Sequence, residues 1–165
     1  EEKTADQQQG FACLGKYNLT KSVWKGYKVV FAEIMTTIVI AFMVIESARI
    51  TQFLIDHALA IRFQIDVQRT ILRIENAFYL YTGDVPQPVD LSKKTEVSSV
   101  LMLYNLAVTD FSIRDNGRLE VAIGEEYRLL VDPHPEQTAW QILADNGLRV
   151  ACMPHGQLSI TRAQS

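Results

Sequence analysis

Residues Ala107–Gly124 read AVTDFSIRDNGRLEVAIG, and this stretch decides the fold. Val108, Phe111 and Ile113 before the triplet Asp115, Asn116, Gly117, and Leu119, Val121 and Ile123 after it, stand among polar or small neighbours. A spacing of two is the period of a half-buried strand. Asn and Gly tolerate positive φ, so the triplet between two such runs predicts a tight hairpin of type I′. The same triplet recurs as Asp145, Asn146, Gly147 between AWQILA and LRVACM, and His155 with Gly156 predicts a third turn before QLSIT. The C-terminal part is therefore an antiparallel meander.

Upstream the alternation continues. LAIRFQI (Leu59–Ile65) is its cleanest run, with Ile50, Phe53 and Ile55 before it and Ile71 and Ile74 after it. TGDVPQPVDLS (82–92) breaks the pattern with Gly83, Pro86 and Pro88 and reads as a loop. Val97, Val100, Leu101 and Tyr104 then fall at i, i+3, i+4 and i+7, which predicts an amphipathic helix over 94–106.

Displacing the chain by 58 residues sets Ile50 on Val108, Thr51 on Thr109, Phe53 on Phe111, Ile55 on Ile113, Ile61 on Leu119, Phe63 on Val121 and Ile65 on Ile123. After a slip of one, Leu72 meets Leu129 and Ile74 meets Val131. The expectation is an internal duplication, with β units 49–81 and 107–161 joined by the loop 82–92 and the helix. The fold class that follows is α+β: a mostly antiparallel meander from two duplicated units, one amphipathic helix between them and an N-terminal helix ahead of a β-rich domain 47–165.

The extension 1–46 differs in composition. It is polar and then basic, with Lys16, Lys21, Lys25 and Lys28, before the apolar run VVFAEIMTTIVIAFMVI at 29–45. That run fits a helix buried against a partner, or a membrane anchor with Trp24 and Tyr27 at its border. Its uninterrupted part, Ile34–Ile45, is shorter than the roughly 20 residues a span requires. Glu46 stands badly for a signal-peptidase site, so a cleaved signal fits less well.

The formal charge of −3 argues against nucleic-acid partners. Two cysteines, Cys13 and Cys152, are too few for a disulfide framework and point to a reducing cytoplasm; anchoring through 29–45 is the alternative location.

Ala139–Ile160 (AWQILADNGLRVACMPHGQLSI) and Ala48–Phe63 (ARITQFLIDHALAIRF) resemble a small, uncharacterised bacterial family common in actinobacteria. The likeness covers about residues 48–161 and rests on the Ala-Trp pair, the glycine hairpin, the Val150–Pro154 run and the last turn, where His155 replaces the family's usual Gly. The family carries no established activity. Its size and layout are similar to those of immunity proteins that accompany bacterial toxins. Members of the family begin shortly before the first strand, which makes residues 1–42 an appended or upstream-read segment and predicts that a chain starting at Met43 is soluble and melts cooperatively.

No nucleotide-binding, hydrolase or zinc-protease motif is present. Asp132, His134, Cys152 and His155 have spacings that zinc ligands use, yet His134 lies between two prolines, His155 in a turn and Cys152 on an inward strand position. His57 reads as a solvated turn residue. Trp140, beside Ile142, reads as core. The expectation is thus a non-enzymatic domain without catalytic residues, metal or cofactor. It binds another protein, as an immunity-type inhibitor does, through the acidic residues Asp110, Asp115, Glu120, Glu125 and Glu126. A membrane-tethered accessory or subunit-packing domain is the alternative, and a metal-dependent hydrolase the second alternative.

Overall fold

The computed structural model describes residues 47–163. The extension 1–46, and with it the expected N-terminal helix and the apolar run 29–45, lies outside the described residues. Among these residues no helix is long and apolar enough to cross a membrane.

Among the described residues there are eleven strands: β1 (Arg49–Ile55), β2 (Leu59–Ile65), β3 (Gln68–Ile74), β4 (Phe78–Thr82), β5 (Val85–Val89), β6 (Val108–Ile113), β7 (Leu119–Ile123), β8 (Tyr127–Val131), β9 (Trp140–Ala144), β10 (Leu148–Cys152) and β11 (Leu158–Arg162). They form two antiparallel sheets, one in the order β1-β2-β3-β9-β10-β11 and the other in the order β5-β4-β8-β7-β6. The inward rows of both sheets, among them Ile50, Ile61, Phe63, Leu72, Trp140, Ile142 and Val150 from one and Leu80, Val108, Phe111, Val121 and Leu129 from the other, build one hydrophobic core.

The strand orders are related. Exchanging β1–β5 for β6–β10 converts one sheet into the other, β11 excepted. Each half of the chain keeps three strands and hands its next two to the opposite sheet. Equivalent pairs hold across the exchange: Leu72 faces Ile142 where Leu129 faces Leu80. β-bulges fall between Ile50 and Gln52 in β1 and between Val108 and Asp110 in β6. An isolated antiparallel bridge joins Arg49 to Ala107, where the two halves meet. Backbone bonds from Val108 N to Ala48 O (2.9 Å) and from Ile50 N to Leu106 O (3.0 Å) flank it. The second strands match two residues further along than the displacement of 58 placed them, because Phe53 faces Ile61 and Phe111 faces Val121. The β6–β7 turn is longer than the β1–β2 turn, and a shift of two leaves the alternation unchanged.

The α+β reading is corrected on the helix. An α-helix α1 covers only Lys94–Val97 and passes into a 3-10 helix over Ser98–Leu103. Its first turn has no side-chain cap, and the Ser98 and Ser99 hydroxyls donate to the carbonyls of Thr95 and Glu96 three residues back (2.7 Å each). Such bonds compete with the α-helical ladder and favour the tighter turn. The buried residues are Val97, Val100 and Leu103, a period of three, while Leu101 and Tyr104 are 53% and 59% exposed. The described residues are therefore mostly antiparallel β, with one short α-helix.

The loop at 82–92 is also corrected. Tyr81 faces Pro86 and Tyr79 faces Pro88 in a β4–β5 hairpin. Proline is tolerated here because β5 is an edge strand. The hairpin glycines Gly117 and Gly147 have φ of 83° and 79°, but Asn116 and Asn146 are not among the positive-φ residues, so the turns are not type I′. Both asparagines instead accept the backbone N–H two residues on, from Arg118 (3.1 Å) and Leu148 (3.0 Å).

Candidate interaction surface

The five acidic residues expected to form one binding patch are not brought together. Asp110 and Glu120 lie on the outer face of the five-stranded sheet, opposite Ala122 and Ser112. Asp115 sits in the β6–β7 turn, and Glu125 and Glu126 in the β7–β8 turn, at the other end of a five-residue strand about 17 Å long. Arg114 bonds Glu120 at 2.6 Å and holds its carboxyl below the usual range. On the same sheet Arg118 pairs with Asp132 at 2.6 Å, and the Arg128 guanidinium lies 4.5 Å from the centroid of the Tyr81 ring. Charges of both signs alternate on this face, so it presents no net acidic field.

The described His and Cys residues do not converge on one ligand set either. Cys152 is buried in the core opposite Trp140, and burial pushes its thiol up from the ordinary value, against nucleophilic use. The His134 ring Nδ1 accepts the backbone N–H groups of Glu136 (3.1 Å) and Gln137 (3.2 Å). His155 N–H donates to the His134 carbonyl at 3.0 Å, and its side chain is exposed. His57 is exposed in the β1–β2 turn. Among the described residues no group of three or more His, Cys, Asp or Glu is placed to hold a metal ion. Trp140 is fully buried, as its spacing predicts, and its indole N–H donates to the Gly117 carbonyl at 3.0 Å.

The most distinctive surface is one that sequence reasoning missed. Pairing across the six-stranded sheet puts Gln52, Arg62, Ile71, Leu143, Arg149 and Thr161 in one outward row. The next row holds Leu54, Ala60, Arg73, Gln141, Ala151 and Ser159, and on the other side Arg49, Gln64 and Arg69 align. All the cations in these rows are arginines. They surround an aliphatic centre of Ala60, Ile71, Leu143 and Ala151.

Among the described residues, acidic side chains meet these rows at their ends: the Asp145 carboxylate accepts the Arg69 backbone N–H at 3.0 Å. Arg73 pairs with Glu75 at 3.3 Å and with Asp56 at 3.8 Å. Gln141 donates to Glu75 at 2.6 Å and accepts a bond from Arg149, so one carboxylate anchors an ordered Arg-Gln-Glu chain. Arg49 donates to the Asn105 carbonyl at 2.9 Å. Arg62, Arg69 and Arg149 form no ion pair among the described residues. Near the β9–β10 turn, Leu143, Gly147, Arg149, Thr161 and Arg162 line an open hollow of about 400 Å³.

The arginines come from four strands, β1, β2, β3 and β10, and β10 joins the other three in one sheet through β9, which pairs with β3 across more than sixty residues of chain. A chain-wide charge of −3 conceals them. Only the alternation within each strand, combined with the β3–β9 register, reveals that they share a face.

No curated protein and no solved structure matches the chain. A family model does match it over residues 43–162, and that span takes in every strand of both sheets: the chain belongs to DUF6188, a family of unknown function.

Proposed function

We propose that the chain is a non-enzymatic protein-binding domain, an inhibitor of the immunity type that acts by covering another protein. The supporting observation is the outer face of the six-stranded sheet, where arginines ring a half-buried aliphatic centre, Ile71 and Leu143. Arginine is enriched in protein interfaces and in their energetic centres, and apolar residues inside a polar rim are the usual anatomy of such sites. The immunity-type part of this reading rests on the resemblance in size and layout expected from the sequence, and it implies a partner that is inactivated by being covered. The acidic residues singled out from the sequence become peripheral in this reading, since Glu120 is already neutralised by Arg114.

The test is quantitative affinity capture from the producing cell with the full chain and with an Ile71→Gln/Leu143→Gln variant whose melting curve matches the parent. One or a few proteins retained by the parent and lost from the variant are expected. Identical capture profiles would refute the surface assignment.

A further inference from the structure

We infer that the partner of the six-stranded sheet is an acidic, extended polypeptide segment with the pattern acid-x-apolar-x-acid. The inference rests on the protein-binding reading above and specifies its chemistry. Arg62, Ile71, Leu143 and Arg149 occupy one row on four adjacent strands, β2, β3, β9 and β10. Adjacent strands lie about 4.8 Å apart, so the two arginines are rooted about 14 Å from each other, with the two aliphatic side chains between them.

An extended chain laid across the strands rises about 3.4 Å per residue, and residues i, i+2 and i+4 point the same way. Its first and fifth side chains are then about 14 Å apart, the spacing of Arg62 and Arg149. Its third side chain falls over Ile71 and Leu143. Guanidinium groups bind carboxylates through two parallel N–H bonds, which suits acidic side chains at the two outer positions.

Charge complementarity points the same way. Among the described residues, Arg73 alone of the arginines in these rows is paired with carboxylates, those of Asp56 and Glu75. Arg69 adds a further cation one row away, beside Gln64. A nucleic acid is the poorer fit. The rows hold no Phe, Tyr, Trp or His on which bases could stack, and the chain as a whole is negative.

The experiment titrates the full chain with three fluorescent probes. These are a peptide with the core Glu-Thr-Leu-Thr-Glu, an isomer with the core Glu-Glu-Leu-Thr-Thr, and a twelve-nucleotide oligouridylate. The first peptide is expected to bind at least fivefold more tightly than its isomer and than the oligonucleotide. Its affinity should fall about tenfold in Arg62→Gln/Arg149→Gln, a change equivalent to about 1.4 kcal/mol. The corresponding Lys pair should recover part of that loss, because it keeps charge without the fork. Both variants must retain the parent's melting temperature. Tighter binding of the oligonucleotide would overturn the inference in favour of a nucleic-acid face. Equal binding of the two peptides, no binding, or indifference to the Arg→Gln pair would also overturn it. A protein captured through Ile71 and Leu143 would then leave the wider protein-binding reading standing, so the two failures are distinguishable.

Discussion

Gly156 is the position where a single methyl group should do the most damage. Its φ is +81°, and a Cβ built on it would stand 2.0 Å from the Asn116 carbonyl oxygen and 2.9 Å from that carbonyl's carbon. The contact is reciprocal, since a Cβ on Gly117 would meet the Gly156 oxygen at 2.5 Å and its Cα at 2.7 Å. The turn before β11 is thus stacked backbone to backbone on the β6–β7 turn. The Trp140 indole holds the latter from inside the core. Nothing in that stack is a flexible side-chain end that could step aside. Left-handed backbone costs an L-residue about 1–2 kcal/mol, and overpacking a rigid site adds about 1–3 kcal/mol, giving about 3 kcal/mol for Gly156→Ala.

Gly83→Ala is the internal control. Its φ is +59° but nothing lies within 4 Å of the added carbon, so only the backbone penalty of about 1 kcal/mol applies. For a domain of this size 1 kcal/mol shifts the melting temperature by about 4 °C. Scanning calorimetry should therefore show a loss of about 4 °C for Gly83→Ala and about 12 °C or more for Gly156→Ala. Losses equal within about 2 °C would refute the stacked-turn argument.

Trp140→Phe leaves the buried Gly117 carbonyl without its donor and a gap beside it, so urea unfolding should show a loss of about 2–4 kcal/mol; a loss near zero would mean the indole bond carries no weight. In a Cys13→Ser background, Cys152 should resist a disulfide reagent at about pH 8 until urea unfolds the chain, because burial keeps the thiol protonated; stoichiometric reaction in native buffer would contradict its placement. Burial raises that pKa above the ordinary 9.0, so its contribution to stability is full below that value and is lost as pH rises further. Glu120 has the opposite sign: Arg114 lowers its pKa from 4.5, so stability is present above that value and is lost as pH falls. Glu120→Gln should accordingly shrink the drop in melting temperature between about pH 6 and about pH 3, and an unchanged drop would dismiss the Arg114 pair as a contributor.

Much of the β architecture is local and therefore readable in the sequence. The alternation in Leu59–Ile65 and Leu119–Ile123 marks two strands because each carries a buried row and a solvated row. The triplets ending in Gly117 and Gly147 mark hairpins because glycine takes up their positive φ at least cost, whatever the turn type. The helix was misjudged because Val97, Val100, Leu101 and Tyr104 satisfy a period of 3.6 as text. The serine hydroxyls in fact tighten the segment to a period of three. Strand β5 was missed because prolines exclude a central strand but not an edge one.

The arginine face was out of reach for a different reason. Arg62 and Arg149 come into one row only when β3 pairs with β9, and nothing local to either strand encodes that choice. The acidic residues are conspicuous in the text, yet Glu120 is engaged by Arg114, and Asp115 and Glu125 stand at opposite ends of β7.

The most direct test of the account is a ¹⁵N–¹H chemical-shift titration of the full chain with the Glu-Thr-Leu-Thr-Glu peptide. The account predicts the largest shifts at Ala60, Arg62, Ile71, Leu143 and Arg149, which share the outer face of one sheet. Shifts confined to Glu125, Glu126 and the rest of the five-stranded sheet, or no shifts at all, would contradict it.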